Sequence, residues 1–214
     1  TYYSIEAAGD RSVAEKYLKD PILLCREGWG ERFPLELANL RPYGQEEIRD
    51  LSYDRDRLEG ALRSLEEYKV LLIEPGSETD FLALTGRTDL LQEIIDHARD
   101  HLECPVVVGT HHAGSTIPIL ENSGIDIEGY VTPVNSLGAL MLPTKERALE
   151  AIRSYRRPII AIKPLAGGRI LPMEAFRFVY HEADGCMIGV ASEEELDADV
   201  REARRALLLK KSQC

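Results

Sequence analysis

Residues 158–163 read Pro-Ile-Ile-Ala-Ile-Lys, and residues 105–110 read Pro-Val-Val-Val-Gly-Thr. In each stretch a continuous apolar run begins after a proline and ends at a polar or turn residue. Such runs are typical of strands that are buried on both faces, as in a parallel sheet covered by helices. These two stretches therefore predict an α/β fold with a sheet that is covered on both sides.

Further apolar runs lie on either side of these two stretches, and most are followed by a segment with helical periodicity. That alternation is the pattern of βα units in a parallel sheet. The seven predicted strands cover residues 2–6, 21–26, 70–74, 105–110, 127–135, 158–163 and 186–191.

The connecting helices are predicted from apolar stripes and from residues that favour helix N-termini. Residues 54–67 and 88–101 place apolar side chains at helical spacing, on the face expected to pack on the sheet. Thr144, Pro172 and Ser192 mark three further helices, since threonine and serine cap N-termini and proline suits the first turn. The last helix is expected to run through Leu208.

We predict a single domain over residues 1–214, built as a TIM-type (β/α)8 barrel. Seven strands are one too few for a closed barrel of eight, so we expect the first βα unit to lie upstream of Thr1. The competing architecture is an open doubly wound sheet. That fold usually shows a GxGxxG turn, which the sequence does not contain, so the barrel is favoured.

Two connections differ from ordinary strand-to-helix links. Residues 27–51 contain Trp29, Pro34 and Pro42 and are unusually long, which predicts a functional loop. Residues 135–143 are apolar and form either a lid or a segment packed over the end of the barrel. Packing is favoured, because apolar loop residues usually cover a core.

Composition and charge limit the function classes. The formal net charge is −11 without a basic stripe, which argues against a nucleic acid or an anionic membrane as partner. The four cysteines form no CxxC pair, so no zinc cluster or disulfide framework is predicted, and a reducing cytoplasm is expected. The sequence shows neither a run of about 18 apolar residues nor a leader pattern. A small-molecule ligand is the expected partner, and the oligomeric state is open.

Several short motifs occur in order along nearly the whole chain. They are SIEAA at residues 4–8, VAEKYL at 13–18, the segments 58–65 and 70–75, VGTH at 108–111, PVN at 133–135, IKPLAGG at 162–168 and IGVASEEEL at 188–196. On these motifs the sequence resembles the aldo/keto reductases, in the branch whose seventh strand leads into KPLAGG. The resemblance implies a TIM barrel, NAD or NADP as cofactor, and reduction of a carbonyl by hydride, with a Tyr, a Lys, an Asp and a His at the centre.

The sequence departs from that family at each expected catalytic position. Glu6 stands where the resemblance expects Asp, Arg26 where it expects Lys, and Glu74 where it expects His. Gly9 and Asp10 occupy the region of the expected Tyr. An ordinary ketoreductase is therefore not expected.

The replaced positions suggest a different charged centre. Because barrel chemistry lies at the carboxyl ends of the strands, Glu6, Arg26 and Glu74 should meet at one end of the barrel. Such a trio either binds a polar or cationic ligand, or supplies a general base, or is a buried ion-pair network that replaces the lost tetrad.

The resemblance also implies that the loops after the last two strands hold the phosphates of a dinucleotide. The cofactor-binding residues expected on this basis are Asn135, Leu165, Gly167, Gly168, Gly189 and Ser192. Backbone N–H groups at a helix N-terminus suit a phosphate, whereas the three glutamates at 193–195 disfavour the additional phosphate of NADP. The alternative is that Gly167 and Gly168 only permit a tight turn.

Three more residues at strand ends are candidates for chemistry. His111 and His112 together with Glu74 could ligate a divalent metal, but adjacent histidines are a weak signal, so a hydrogen-bonded role is favoured and no metal is predicted. Lys163 ends an apolar run and is a candidate Schiff-base nucleophile. Pairing with a carboxylate or a cofactor phosphate is the preferred alternative for Lys163.

Three functions remain open from the sequence. The first is an aldo/keto-reductase-like barrel that acts as an NAD(P)-linked oxidoreductase with an altered or lost tetrad. The second is a lyase or a metal-assisted hydrolase at the same end of the barrel, and the third is a non-catalytic binding subunit. The candidate catalytic residues are Glu6, Arg26, Glu74, His111 and Lys163.

Overall fold

The computed structural model describes residues 45–76 and 78–211. Within them helices and short strands alternate along the chain, as the sequence predicts. The elements are α1 (Gln45–Arg49), α2 (Arg55–Arg63), α3 (Thr79–Leu84), α4 (Thr88–Leu102), β1 (Val107–Gly109), α5 (Ala113–Ser123), β2 (Gly129–Pro133), α6 (Lys145–Ser154), β3 (Ile159–Ile162), α7 (Pro172–Glu182), β4 (Gly185–Cys186) and α8 (Glu193–Lys211).

The four strands form one parallel sheet in the order β1-β2-β3-β4. Gly109 is in register with Val131, and Val131 is in register with Ile160. A fifth segment joins the other edge of β1, where Ile73 forms a parallel bridge with Val106. Each segment therefore lies beside the one that precedes it in sequence.

This sequential order is the order of a β/α barrel. A doubly wound sheet changes direction at a switch point, so that its strands are not in simple chain order, and the described strands show no such change. The α/β class and the parallel sheet are thus confirmed. The predicted strands at residues 2–6 and 21–26 lie outside the described residues, and a closed barrel stays a prediction.

One face of the sheet packs on the helices. The strand side chains buried in this shared hydrophobic core are those of Val106, Val108, Tyr130, Ile159 and Ala161. Helix residues Ile95, Leu120 and Phe176 lie in the same core and are at most 1% exposed. Burying a side chain of this size stabilises the fold by roughly 1.5–3 kcal/mol, so this layer positions the strand ends.

The strand residues between those of the helix-packed core point to the other face of the sheet, because successive side chains alternate across a strand. Val107 and Val131 are 4% and 5% exposed and do not belong to the helix-packed core. Gly109 and Ile160 alternate onto the same side. In a barrel this side is the interior.

The predicted helix starts agree with the structure where a side chain caps the helix. Asp54 accepts a hydrogen bond from the N–H of Arg57 (3.0 Å), and Thr144 accepts one from the N–H of Arg147 (3.2 Å). Ser192 accepts one from the N–H of Glu195 (3.2 Å). Each bond satisfies an N–H group that the first helical turn leaves unpaired.

Several predicted boundaries are wrong. The predicted strand 70–74 is reduced to the bridge at Ile73, and the predicted strand 186–191 to β4 and one further bond, from the N–H of Met187 to the carbonyl of Ala161 (2.8 Å). Helices α3 and α5 were not predicted. The predicted loop 27–51 contains helix α1 in its described part.

Residues 135–143 pack over the strand ends rather than stand open as a lid. Ala139, Leu140, Met141 and Leu142 are all buried. The N–H of Leu142 donates to the carbonyl of His111 (3.0 Å), which ties this loop to the turn after β1. Of the two alternatives for this segment, the structure shows packing.

Across residues 45–76 and 78–211, no helix combines the length and the apolar character needed to cross a membrane.

Candidate functional site

The carboxyl edge of the sheet brings three of the predicted catalytic residues to one side of the molecule. Glu74 follows the bridge at Ile73, His111 follows β1, and Lys163 follows β3 directly. Parallel strands end at the same edge, so these side chains share the edge at which barrel chemistry lies. Glu6 and Arg26, the other two, lie outside the described residues.

The carboxylate of Glu74 lies against the end of β1. Its Oε1 accepts a hydrogen bond from the N–H of Gly76 at 3.3 Å. A Cβ atom at Gly109 would come within 2.8 Å of the same oxygen, so glycine at this position permits the close approach. Burial raises the pKa of Glu74, and hydrogen bonds from the backbone of Gly76 and Gly109 act against that rise.

A buried carboxylate that the sequence did not reveal fixes the turn after β1. Asp80, in α3, is 0% exposed and accepts hydrogen bonds from the hydroxyls of Thr110 and Thr116, the latter at 2.7 Å. It also accepts the N–H of His111 at 3.0 Å, while Thr110 Oγ1 accepts the N–H of His112 at 2.9 Å. A charge buried in this way is tolerated because several donors surround it.

The backbone of His111 is held on both sides, by Asp80 at its N–H and by Leu142 at its carbonyl. Its side chain is half-buried. Burial, and after it the charge of Lys163, lowers the pKa of His111 to about 3. The imidazole is therefore neutral near pH 7, and Lys163 is close enough for its charge to act on it.

Lys163 adopts an unusual backbone conformation, with φ at 54°. Its carbonyl accepts the N–H of Ala166 at 3.0 Å and the side-chain amide of Asn135 at 3.4 Å. Lys163 is exposed overall, but the surrounding protein partly desolvates its amine and thereby lowers the pKa of Lys163.

A cleft of about 640 Å³ lies between the loops that follow β3 and β4, and we call it the β3–β4 cleft. Its lining residues are Ile162, Lys163, Pro164, Leu165, Gly167, Gly168, Met187, Ile188, Gly189 and Glu195. Four of the six predicted cofactor-binding residues and one predicted catalytic residue thus lie together. Their grouping follows from the adjacency of β3 and β4.

The remaining two predicted cofactor residues have their polar groups engaged elsewhere. The amide of Asn135, which is 0% exposed, donates to the carbonyl of Ala139 and accepts its N–H, both at 2.9 Å. Ser192 caps α8 through the N–H of Glu195. Both side chains shape loops beside the β3–β4 cleft without lining it.

Within the described residues, Glu74, His111 and His112 are not grouped as ligands of one metal ion. Throughout the described part of the chain, no group of three or more His, Cys, Asp or Glu side chains is arranged to hold a metal ion. His112 itself is 1% exposed and directly precedes α5.

A larger cleft, of about 740 Å³, lies between α7 and α8. Its lining includes Leu171, Phe178 and Leu209, and none of the predicted site residues that fall within 45–76 and 78–211 lines it. The β3–β4 cleft is smaller, but it lies at the carboxyl edge of the sheet, where parallel α/β sheets bind their ligands. We therefore take the β3–β4 cleft as the candidate site.

Comparison with known proteins gives weak matches. No protein-family model matches the chain, and no curated protein matches it. Two solved structures assigned as an aldo-keto reductase from Pseudomonas aeruginosa match with a TM-score of 0.36 each, at 15% and 14% sequence identity. The matches cover 72% and 78% of this chain and 85% and 86% of those chains. Similarity at this level does not place the chain in a family.

Proposed function

We propose that the chain binds a nicotinamide dinucleotide in the β3–β4 cleft and is an aldo/keto-reductase-like oxidoreductase with an altered catalytic centre. The observation that supports this best is the cleft itself. Leu165, Gly167, Gly168 and Gly189, which the sequence resemblance assigns to dinucleotide binding, line one cavity of about 640 Å³. A cavity of this size is within the range of small-molecule and cofactor sites.

The loop after β3 offers donors for a phosphate. Gly167 and Gly168 have φ values of 69° and 80°, and both residues are exposed. Within the described part of the chain neither N–H group donates a hydrogen bond. Two free N–H groups at an exposed glycine turn are suited to an anionic oxygen.

The charge around the cleft favours NADH over NADPH. The first turn of α8 carries Glu193, Glu194 and Glu195, and Glu195 lines the cleft. Three carboxylates near the site repel the additional phosphate of NADPH more than they repel NADH. Lys163 is the one cationic residue among the described residues that line the cleft.

The proposal is tested by a fluorescence titration of the chain with NADH and NADPH. Gly189→Val adds a side chain in open space, since no atom lies within 4 Å of a Cβ there. The added side chain should narrow the cleft and weaken NADH binding by about tenfold or more, which is a loss of about 1.4 kcal/mol.

Gly185→Val is the matched control. A Cβ at Gly185 also meets no atom within 4 Å, but Gly185 does not line the cleft, so this variant should bind NADH as the wild type does. The binding proposal fails if neither nucleotide binds, or if both variants lose binding equally. Hydride transfer is tested separately, by NADH oxidation with a panel of aldehydes and ketones, and no oxidation with any of them would remove the oxidoreductase part.

A further inference from the structure

We propose that the side-chain amine of Lys163 is a nucleophile that forms an imine with a small aldehyde or ketone in the β3–β4 cleft. This activity goes beyond dinucleotide binding and does not depend on it. Three features support it: the backbone conformation of Lys163, the surroundings of its amine, and the walls of the cleft.

The backbone of Lys163 lies in the left-handed region, which costs a residue with a Cβ roughly 1 kcal/mol. Glycine would adopt φ of 54° at less cost. Two hydrogen bonds to the Lys163 carbonyl, from Ala166 and Asn135, hold this conformation in place. Strain that surrounding structure maintains is found preferentially at functional sites, and here it directs a lysine to the cleft at the end of β3.

The amine of Lys163 has no hydrogen-bond or ion-pair partner among residues 45–76 and 78–211. The one carboxylate in the described cleft lining is that of Glu195, and it accepts the N–H of Ala191 at 2.7 Å. The alternative in which Lys163 pairs with a carboxylate is therefore not seen in this part of the chain. Burial lowers the pKa of the amine, which increases its neutral, nucleophilic fraction near pH 7.

A neutral imidazole, that of His111, lies within electrostatic reach of the amine. The imidazole of His111 is uncharged near pH 7, and the Lys163 charge contributes to that state. With a pKa of about 3 this imidazole is a weak base near pH 7, so it leaves the amine without a competing positive charge and takes no proton from it.

The walls of the cleft indicate the class of ligand. Ile162, Met187 and Ile188 line the cleft beside Lys163, and Met187 is 49% exposed. Apolar walls next to one amine suit a carbonyl group attached to an apolar chain, rather than a polyhydroxylated compound.

The reaction is a condensation that requires no further reagent. The neutral amine attacks the carbonyl carbon, a carbon–nitrogen bond forms, and the oxygen takes the proton that nitrogen releases. The carbinolamine then loses its hydroxyl group, with one proton, as water. Overall the ammonium and the carbonyl compound give a protonated imine and one molecule of water, with the charge unchanged.

The test is reductive trapping with butyraldehyde and sodium borohydride, with the modified lysines mapped by peptide mass spectrometry. Lys69 is an exposed internal reference in a loop outside the cleft. At pH 7 Lys163 should be labelled faster than Lys69, because a lowered pKa increases the neutral fraction of the Lys163 amine. The difference should narrow as the pH approaches 10.

Variants separate a reactive site from a lysine that is only accessible. Gly189→Val, which narrows the cleft, should slow labelling at Lys163 and leave Lys69 unchanged, and Gly185→Val should change neither. Equal labelling of the two lysines in the wild type, or no effect of Gly189→Val on Lys163, would overturn the proposal. Because the readout is a covalent mass increase rather than nucleotide fluorescence, its failure is distinct from failure of dinucleotide binding.

Discussion

The pH dependence of stability should report the burial of His111. The pKa of His111 is about 3 in the folded chain, against an ordinary value of 6.5. As the pH falls below 6.5, the unfolded chain gains a proton at this residue that the folded chain does not. Stability is therefore present in full above pH 6.5 and is lost progressively until about pH 3, at about 1.4 kcal/mol for each pH unit.

The loss of stability assigned to His111 can be measured over a mild pH range. Between pH 7 and pH 5 the loss assigned to His111 is about 2 kcal/mol. That amount is a substantial part of the 5–15 kcal/mol by which a domain is usually stable. Replacement of His111 by asparagine removes the titrating group, so the variant should lose about 2 kcal/mol less than the wild type over the same interval.

Urea denaturation of both proteins at pH 7, 6 and 5 provides the measurement. His181→Asn is the control, since the His181 side chain is 78% exposed and has no comparable burial. Parallel loss of stability in the wild type and His111→Asn would refute the argument. An NMR titration that placed the pKa of His111 near 6.5 would refute it as well.

Three further changes test other parts of the structure by urea denaturation. Asp80→Ala leaves the hydroxyls of Thr110 and Thr116 without their buried acceptor and should cost about 3 kcal/mol; a loss below about 1 kcal/mol would contradict this role. Leu120→Ala opens a cavity at a fully buried position and should cost about 2–5 kcal/mol, in contrast to Leu208→Ala at an exposed one. Lys163→Gly relieves the left-handed conformation and should stabilise the chain by about 0.5–1 kcal/mol, whereas a loss of stability would show that the lysine side chain supports the fold.

The parts of the fold that the sequence predicted are those encoded in short stretches. The apolar runs around Val108 and Ile160 became β1 and β3, because a strand buried on both faces needs no polar side chain over its length. The caps at Thr144 and Ser192 were predictable, since a cap depends only on the three residues that follow it.

The elements that the sequence analysis missed depend on contacts between distant residues. Helix α3 has six residues, too few to show a helical period, and α5 contains Pro118, which usually ends a helix. The role of Asp80 depends on Thr110 and Thr116, which follow it by 30 and 36 residues along the chain. No local pattern signals a buried carboxylate with partners at that distance.

The sequence predicted where the candidate site lies, but not the backbone conformation or the hydrogen bonds of its residues. Placing chemistry at strand ends brings Lys163 and Gly189 to one edge, and the structure finds them in one cleft. The left-handed backbone of Lys163 could not be predicted, because lysine rarely adopts it. The engagement of the Asn135 amide within its own loop depends on the path of residues 135–143, which their composition does not determine.

The side-chain amide of Asn135 links two loops, so that movement of one loop should affect the other. This one side chain bonds to Ala139 in the loop after β2 and to the carbonyl of Lys163 at the start of the next loop. The loop after β2 also bonds to His111, through the N–H of Leu142. The loops after β1, β2 and β3 are therefore linked to one another by hydrogen bonds. A molecule that immobilises the glycine turn should therefore slow deuterium uptake at Ala139 and Leu142, which lie outside the cleft that it occupies.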